Sequence, residues 1–413
     1  MSMFKKLVYI WNMNNNLKYL MRGTIFSIAS LFITGSIIQA FMLENGIDAK
    51  SVAYYVSALQ IVQVSVMLLI SPVVDRFKNI IKLKSVLILF QVTYTALLAF
   101  IAVSPWMKSE TKYAFILIGG IIISVVQAVN NIICYKVPYL ILDLNDYGHL
   151  NGKVGILSGI IGALFSALLS YLTGIFNYNK VMFVMFIIAS AAIILTFLTV
   201  ISYKPINELE RKETKNQKKN INIFKYKPFY ILLLPNLLRG FAAGIFGTAM
   251  TIGFYVGVTD KSSGSTMALV LQIATLVSSY VYTITSKRKL DDKMLLISSI
   301  MMTISISFML VGGNLTVFYV MYLIASFFIN IVNNAVPTAV VKIVDYDHIG
   351  QYTTWRMLCH TLGGAVASAV AMSMIDLLGG ILTMVIAALC QLISGIVYYI
   401  YIQILKKQNK YLM

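Results

Sequence analysis

Charge is what this chain has least of. Asp, Glu, Lys and Arg together make up 12% of its 413 residues, about half the share found in soluble proteins. Acidic residues are the scarcest: 15 Asp and Glu stand against 33 Lys and Arg. With 59% hydrophobic residues and a mean hydropathy of +0.82, a single core in water cannot hide the apolar surface, so a soluble globular fold is excluded. The three cysteines, Cys134, Cys359 and Cys390, lie apart in apolar runs without CxxC spacing. They read as small core residues, not as a disulfide scaffold or a metal site. No GxxxxGK[ST] occurs, so no phosphate-binding loop and no cofactor is implied, and ATP does not drive the protein directly. The acidic residues fall almost wholly between the apolar runs. A membrane-embedded enzyme would need His, Asp or Glu clustered inside them.

What the chain has in quantity is apolar runs. A bilayer crossing takes about 20 residues, and on that ruler twelve spans are expected, from Gly23–Phe41 to Ile381–Leu405. Six precede a polar, basic segment at 204–227 and six follow it, which divides the chain into bundles at 1–203 and 228–413 around a solvated linker. The formal net charge of +18 is unevenly placed. One side of the membrane receives about 25 Lys and Arg and the other about five. That bias orients an inner-membrane protein with both termini cytoplasmic, and it implies no nucleic-acid partner.

The two halves repeat one signature. Val137-Pro138 is followed by Asp146-Tyr147 and His149, and Val336-Pro337 by Asp345-Tyr346 and His348, with identical spacing 199 positions on. Leu-Xaa-Arg-Gly occurs at Leu20–Gly23 and Leu237–Gly240, and Gln60 and Arg76 match Gln272 and Arg288 at one common offset. An internal duplication of six helices into twelve describes the major facilitator architecture, whose substrate site lies near the midplane between the halves.

The same loops resemble those of the glycoside-pentoside-hexuronide:cation symporters, the melibiose-permease-like branch. Val137-Pro138-Tyr139 is similar to their Ile-Pro-Tyr segment, Asp345-Tyr346-Asp347-His348 to their Asp-Tyr-Gly-Glu motif, and Asp75-Arg76 to the Asp-Arg of the facilitator loop after the second span. The resemblance implies a twelve-helix, two-bundle fold and a sugar or glycoside carried with Na⁺ or H⁺. The family's paired cation-holding carboxylates would stand at Gln63 and Met67 here. Neither residue binds a cation by charge or carries a proton.

Polar side chains inside spans are costly and therefore mark sites. Gln127, Asn130 and Asn131 share one face of the fourth span, and Asn330, Asn333 and Asn334 repeat the pattern on the tenth, one turn nearer the Pro. With Gln60, Gln63 and Gln272 they are candidates to line a cavity for a neutral polyhydroxyl or amide-bearing solute, or else to bond neighbouring helices. Arg239 is expected to snorkel at a span beginning near Gly240; a helix starting near Phe229 would instead make it an anion-binding candidate. Asp75, Arg76, Asp146, His149, Arg288, Asp345, His348 and Arg356 form an expected gating belt at the cytoplasmic mouth, with both His149 and His348 in loops. His360 is the one histidine expected inside a span. The glycines Gly155, Gly159 and Gly162 stripe the fifth span at helical spacing and favour close, slidable helix contacts.

The function expected is a monomeric secondary or facilitative transporter moving a small polar solute by alternating access, with membrane lipids around it and Na⁺ or H⁺ as the possible coupling ion. The alternatives are a facilitator-type exporter of amphipathic or peptide-like solutes, suited to Met-rich spans, and a receptor or scaffold that transports nothing.

Overall fold

The computed structural model describes residues 14–30, 36–75, 80–142, 147–204, 227–249, 263–287, 291–310, 314–343 and 346–410. Every regular element among them is helical. In the first half these are α1 (Asn15–Ser30), α2 (Ser36–Glu44), α3 (Ala49–Asp75), α4 (Ile80–Ala102), α5 (Ser109–Ile141), α6 (Tyr147–Ile175) and α7 (Tyr178–Ile201). The second half has α8 (Lys227–Gly244), α9 (Ser263–Lys287), α10 (Asp291–Phe308), α11 (Leu315–Ile343), α12 (Tyr346–Leu378) and α13 (Gly380–Lys410).

Among the described residues nine helices are long and apolar enough to cross a bilayer, and two shorter apolar stretches, Leu233–Gly247 and Lys293–Phe308, match the seventh and ninth expected spans. The first expected span covers α1 and α2, with residues 31–35 outside the described ones. Twelve crossings result. Large hydrophobic side chains face outward all round the bundle; along α6 alone Leu164, Leu168, Tyr171 and Ile175 are exposed at helical spacing. A water-soluble monomer does not carry such a belt.

Each half has its own core. One gathers Ile38, Phe41, Tyr55, Met67 and Phe186; the other gathers Ile245, Met302, Ile306 and Tyr322. In the first half α3 packs on α5, α4 on α5 and α7, and α1 on α6 and α7. In the second, α8 packs on α12 and α13, α10 on α11 and α13, and α9 on α11. The halves meet along α6 with α9 and along α3 with α12. Both seams are made by glycine. A Cβ placed on Gly152, Gly155, Gly159 or Gly162 of α6 would overlap Thr283, Ser279, Leu276 or Gln272 of α9, one turn after another. On the other seam Gly364 of α12 faces Gln60 of α3, and Ser57 Oγ donates to Ala365 O at 3.0 Å.

The basic end of the first half is tied by side chains to carbonyls at and beyond helix ends. Asn15 Nδ2 donates to Ile141 O at 3.1 Å and to Lys204 O at 2.6 Å, and Lys18 Nζ donates to Ser202 O at 2.5 Å. Lys84 Nζ reaches Ile201 O at 3.1 Å. Cations are favoured at these last carbonyls of α7 by the helix dipole. Burial, and then the charges of Lys204 and Lys84, pull the Lys18 ammonium below its ordinary value.

Two expectations are corrected. The seventh span does not begin near Gly240: α8 starts at Lys227 and runs through Pro235, whose carbonyl accepts Ser394 Oγ from α13 at 2.7 Å. The missing proline N–H costs one ladder bond, and packing on α12 and α13 holds the helix regardless. Arg239 is therefore inside the helix and only 8% exposed, not snorkelling at an interface. His149 and His348 are also not in loops: each stands in the first turn of a helix, α6 and α12, which begin at the repeated tyrosines Tyr147 and Tyr346. The linker at 205–226 lies outside the described residues.

Candidate functional site

The amide faces divide into two kinds. Gln60 and Gln272 lie on the seams, each against a glycine of the opposite half: Gln60 of α3 on Gly364 of α12, and Gln272 of α9 on Gly162 of α6. Gln272 is 6% exposed, and the buried Oε1 of Gln60 makes no hydrogen bond. Asn334 of α11 reaches the same region, its Nδ2 3.9 Å from a Cβ placed on Gly155. These three mark where the halves touch. Asn130, Asn330 and Asn333 instead bond within a half, the cementing alternative. Asn330 Nδ2 of α11 donates to Thr275 Oγ1 of α9 at 2.8 Å. Gln127 and Asn131 on α5 and Gln63 on α3 are half-buried.

The repeated Leu-Xaa-Arg-Gly has a structural meaning in both copies. Arg22 Nη2 of α1 donates to Asn130 Oδ1 of α5 at 2.7 Å, and Arg239 Nη2 of α8 donates to Asn333 Oδ1 of α11. Each bond thus joins two helices of the same half, α1 to α5 and α8 to α11. Phe26 supports Arg22 from below, its ring centroid 4.9 Å from the guanidinium carbon. The following glycine sets each arginine close to a neighbour: Gly23 lies against Val154 of α6, and Gly240 against the backbone carbonyl of His360 on α12. Gly363 returns that contact against Leu237 and Phe241, so α8 and α12 meet backbone to backbone.

That approach assembles a polar cluster in the second half. Arg356 and His360, one turn apart on α12, face α8 and α13 with Asn236, Arg239 and Tyr398. The Tyr398 hydroxyl donates to Asn236 Oδ1 and accepts from Arg356. Asn236 is fully buried, Tyr398 and Arg356 nearly so, while Asn333 is exposed. Arg356 thus sits inside the bundle with Tyr398, near the start of the span Thr354–Leu378.

Of the other gating candidates, Arg76, Asp146, Arg288 and Asp345 lie outside the described residues. Asp75 ends α3, and His348 opens α12; nothing is described of their side chains. His149 is half-buried. Sequence reasoning did not single out Asn236 and Tyr398, because an asparagine beside a proline and a tyrosine in a Tyr-rich run carry no spacing signal. Arg22 was visible only as the partner of Arg239 in a four-residue repeat.

The family model of the Major Facilitator Superfamily matches residues 20–368. Among curated proteins no sequence matches significantly. Among solved structures, the chain is similar to the human organic anion transporter MFSD10 (TETRAN), with TM-score 0.68 and 12% identity over 96% of this chain and 100% of that one. It is similar to a D-xylose-proton symporter, with TM-score 0.69 and 10% identity over 93% and 96%. It is also similar to the E. coli fucose:proton symporter FucP, with TM-score 0.61 and 14% identity over 97% and 99%. At such identities the likeness establishes the fold.

Proposed function

We propose, from the premise that the chain belongs to the Major Facilitator Superfamily, that it moves a small polar solute across the membrane by alternating access. Membership makes it a multi-pass transporter and not an enzyme. The halves, 1–203 and 228–413, rock against each other about the two glycine seams while the linker 204–227 joins them in the cytoplasm, with both termini on that side of the inner membrane.

One observation carries this reading. The repeat-related Gln60 and Gln272 each rest on a glycine of the opposite half, so the polar groups nearest the seams are also those that a rocking motion would expose. Sugars remain the first solute class to test, because amides pair with polyhydroxyl solutes and two similar structures are a fucose:proton symporter and a D-xylose-proton symporter. Another similar structure is an organic anion transporter. The melibiose-permease-like branch remains a resemblance of loops. The gating belt is kept as part of the proposal, with Asp75, Arg76, Asp146, His149, Arg288, Asp345 and His348 closing the basic mouth.

Coupling is read from α3. Met67 is fully buried in the first-half core, with Gln63 half-buried one turn before it. No carboxylate stands there to hold a cation, so transport independent of Na⁺ is expected. Purified protein in proteoliposomes tests the whole reading by counterflow. Saturable exchange of any one labelled solute supports it, and no saturable exchange across sugars, small acids and peptides would leave a receptor or scaffold.

A further inference from the structure

We infer that Asn15, Lys18 and Lys84 are positioning residues for transport. Together they clamp the exit of α7 and the first residue of the linker, Lys204, to the basic ends of α1, α4 and α5, so that this end of the first half moves as one body. The inference rests on the transporter reading above.

The need for a clamp is written in the sequence. Pro205 follows Lys204 and has no N–H, so the carbonyl of Ile201 has no helical partner four residues on. Side chains of other helices bind this carbonyl and the three after it. Lys84 of α4 donates to Ile201 O at 3.1 Å and also to Tyr203 O. Lys18 of α1 donates to Ser202 O at 2.5 Å, and Asn15 of α1 to Lys204 O at 2.6 Å. Four consecutive carbonyls, 201–204, are thus held from outside α7.

Asn15 is the centre of the arrangement. Its amide pairs with both main-chain groups of Lys204: Oδ1 accepts the Lys204 N–H at 3.1 Å while Nδ2 donates to the Lys204 carbonyl. The same Nδ2 donates to Ile141 O at the end of α5 at 3.1 Å. One side chain therefore joins the start of α1, the end of α5 and the start of the linker. With the Arg22–Asn130 bond farther along, α1 is tied to α5 at two levels.

Burial sets these contacts apart from surface pairs. Lys18 is fully buried and Asn15 nearly so, and a lysine is almost never buried unless its ammonium is partnered. The second copy of the repeat carries apolar residues instead. At the offset relating Gly23 to Gly240, Asn15 and Lys18 fall on Leu232 and Pro235; at the offset relating Gln60 to Gln272, Lys84 falls on Leu296. A six-helix half forms without the clamp. What sets the first half apart is that the linker departs from its last helix.

Alternating access rocks each half as a unit, which requires the helices of a half to keep their relative places. α1, α4, α5 and α7 are fastened together at the clamp. Without it their ends shift separately and the rocking step slows. Gln60 and Gln272 lie on the seams and not at this end, so solute affinity is left as it is.

The experiment compares the native full chain with Asn15→Ala, Lys18→Met, Lys84→Met and the conservative Lys84→Arg, each melting temperature being recorded. Hydrogen exchange in maltoside detergent, read by mass spectrometry over residues 202–204, is expected to quicken about tenfold in Asn15→Ala and both methionine variants, the factor for losing one hydrogen bond of ordinary net strength. Lys84→Arg stays near native. Counterflow in proteoliposomes uses labelled melibiose, succinate and a dipeptide, whichever exchanges in the native protein. Its maximal rate is expected to fall about threefold or more in the same three variants, at an unchanged half-saturating concentration, and to be kept in Lys84→Arg. Should Lys18→Met fail to fold, Asn15→Ala and Lys84→Met decide. Native exchange at 202–204 as fast as in the variants overturns the clamp. Quickened exchange with an unchanged maximal rate, or with a change in half-saturating concentration alone, overturns the positioning role. If none of the three solutes exchanges in the native protein, the transporter reading and the positioning role fall together, and hydrogen exchange still decides the clamp by itself.

Discussion

Gln272 of α9 lies on Gly162 of α6, and three further glycines of α6 meet Leu276, Ser279 and Thr283 at successive turns of the same helix. The seam is thus graded by what each glycine touches. Gly162 faces a long side chain that can turn away, whereas Gly159 faces the backbone of Leu276 with its Cα and N both at 2.6 Å from an added Cβ. Gly159→Ala is expected to cost about 1–3 kcal/mol by overpacking, and Gly162→Ala less. Gly174, near the end of α6, has nothing within 4 Å. Gly174→Ala is expected to be neutral or to stabilise by up to about 1 kcal/mol through helix propensity. Denaturant unfolding in mixed micelles ranks the three, and an order with Gly162→Ala worst would contradict the seam.

The Arg22–Asn130 bond predicts a measurable coupling. Replacing either partner alone leaves a buried polar group facing an apolar one, while replacing both removes the mismatch. A double-mutant cycle of Arg22→Met with Asn130→Leu is expected to give about 1–2 kcal/mol, above the average interhelical bond in membranes because one partner is charged. Additive effects within about 0.3 kcal/mol would mean that the bond contributes nothing.

Asp48 predicts a pH effect outside the membrane. It caps α3, with Oδ1 accepting the Ser51 N–H at 2.9 Å and Oδ2 accepting the Ser51 hydroxyl at 2.5 Å. The Ser51 hydroxyl and then the Ser51 N–H hold its carboxyl below the ordinary 3.8. A depressed carboxylate stabilises the fold above its unfolded value and loses that contribution as pH falls through the folded one. Asp48→Ala is expected to cost about 1 kcal/mol at neutral pH. The gap between variant and native melting temperatures should close on acidification below the usual carboxylate range; a gap that persists there rules out the charged cap.

Gln63 and Met67 predict the ion dependence. Uptake into proteoliposomes is expected to be unchanged, within about twofold, by an inward Na⁺ gradient, since neither side chain brings a negative charge to hold a cation there. A steep Na⁺ stimulation would place the cation elsewhere.

Much of the fold was legible because the bilayer enforces it. Runs near 20 apolar residues, a basic connector and a signature repeated 199 positions on leave few arrangements besides two bundles of six. The seventh span was misjudged because Pro235 and the repeat of Arg22-Gly23 at Arg239-Gly240 both suggested a start there, and only packing against α12 and α13 reveals a helix from Lys227. The amide candidates were half legible. Spacing put Asn130 and Asn333 on the right faces, yet only the fold shows each accepting from an arginine on another helix. Asn236 and Tyr398 were invisible, since their partnership joins α8 to α13 over 162 positions.

The two Arg–Asn bridges do not sit at the same place relative to the repeated prolines. Asn130 stands eight positions before Pro138 and Asn333 four before Pro337, a helical turn of about 6 Å. The two copies of the repeat are therefore not equivalent: on the transport reading proposed above, the two bundles would offer a cargo unlike surfaces, one on each side.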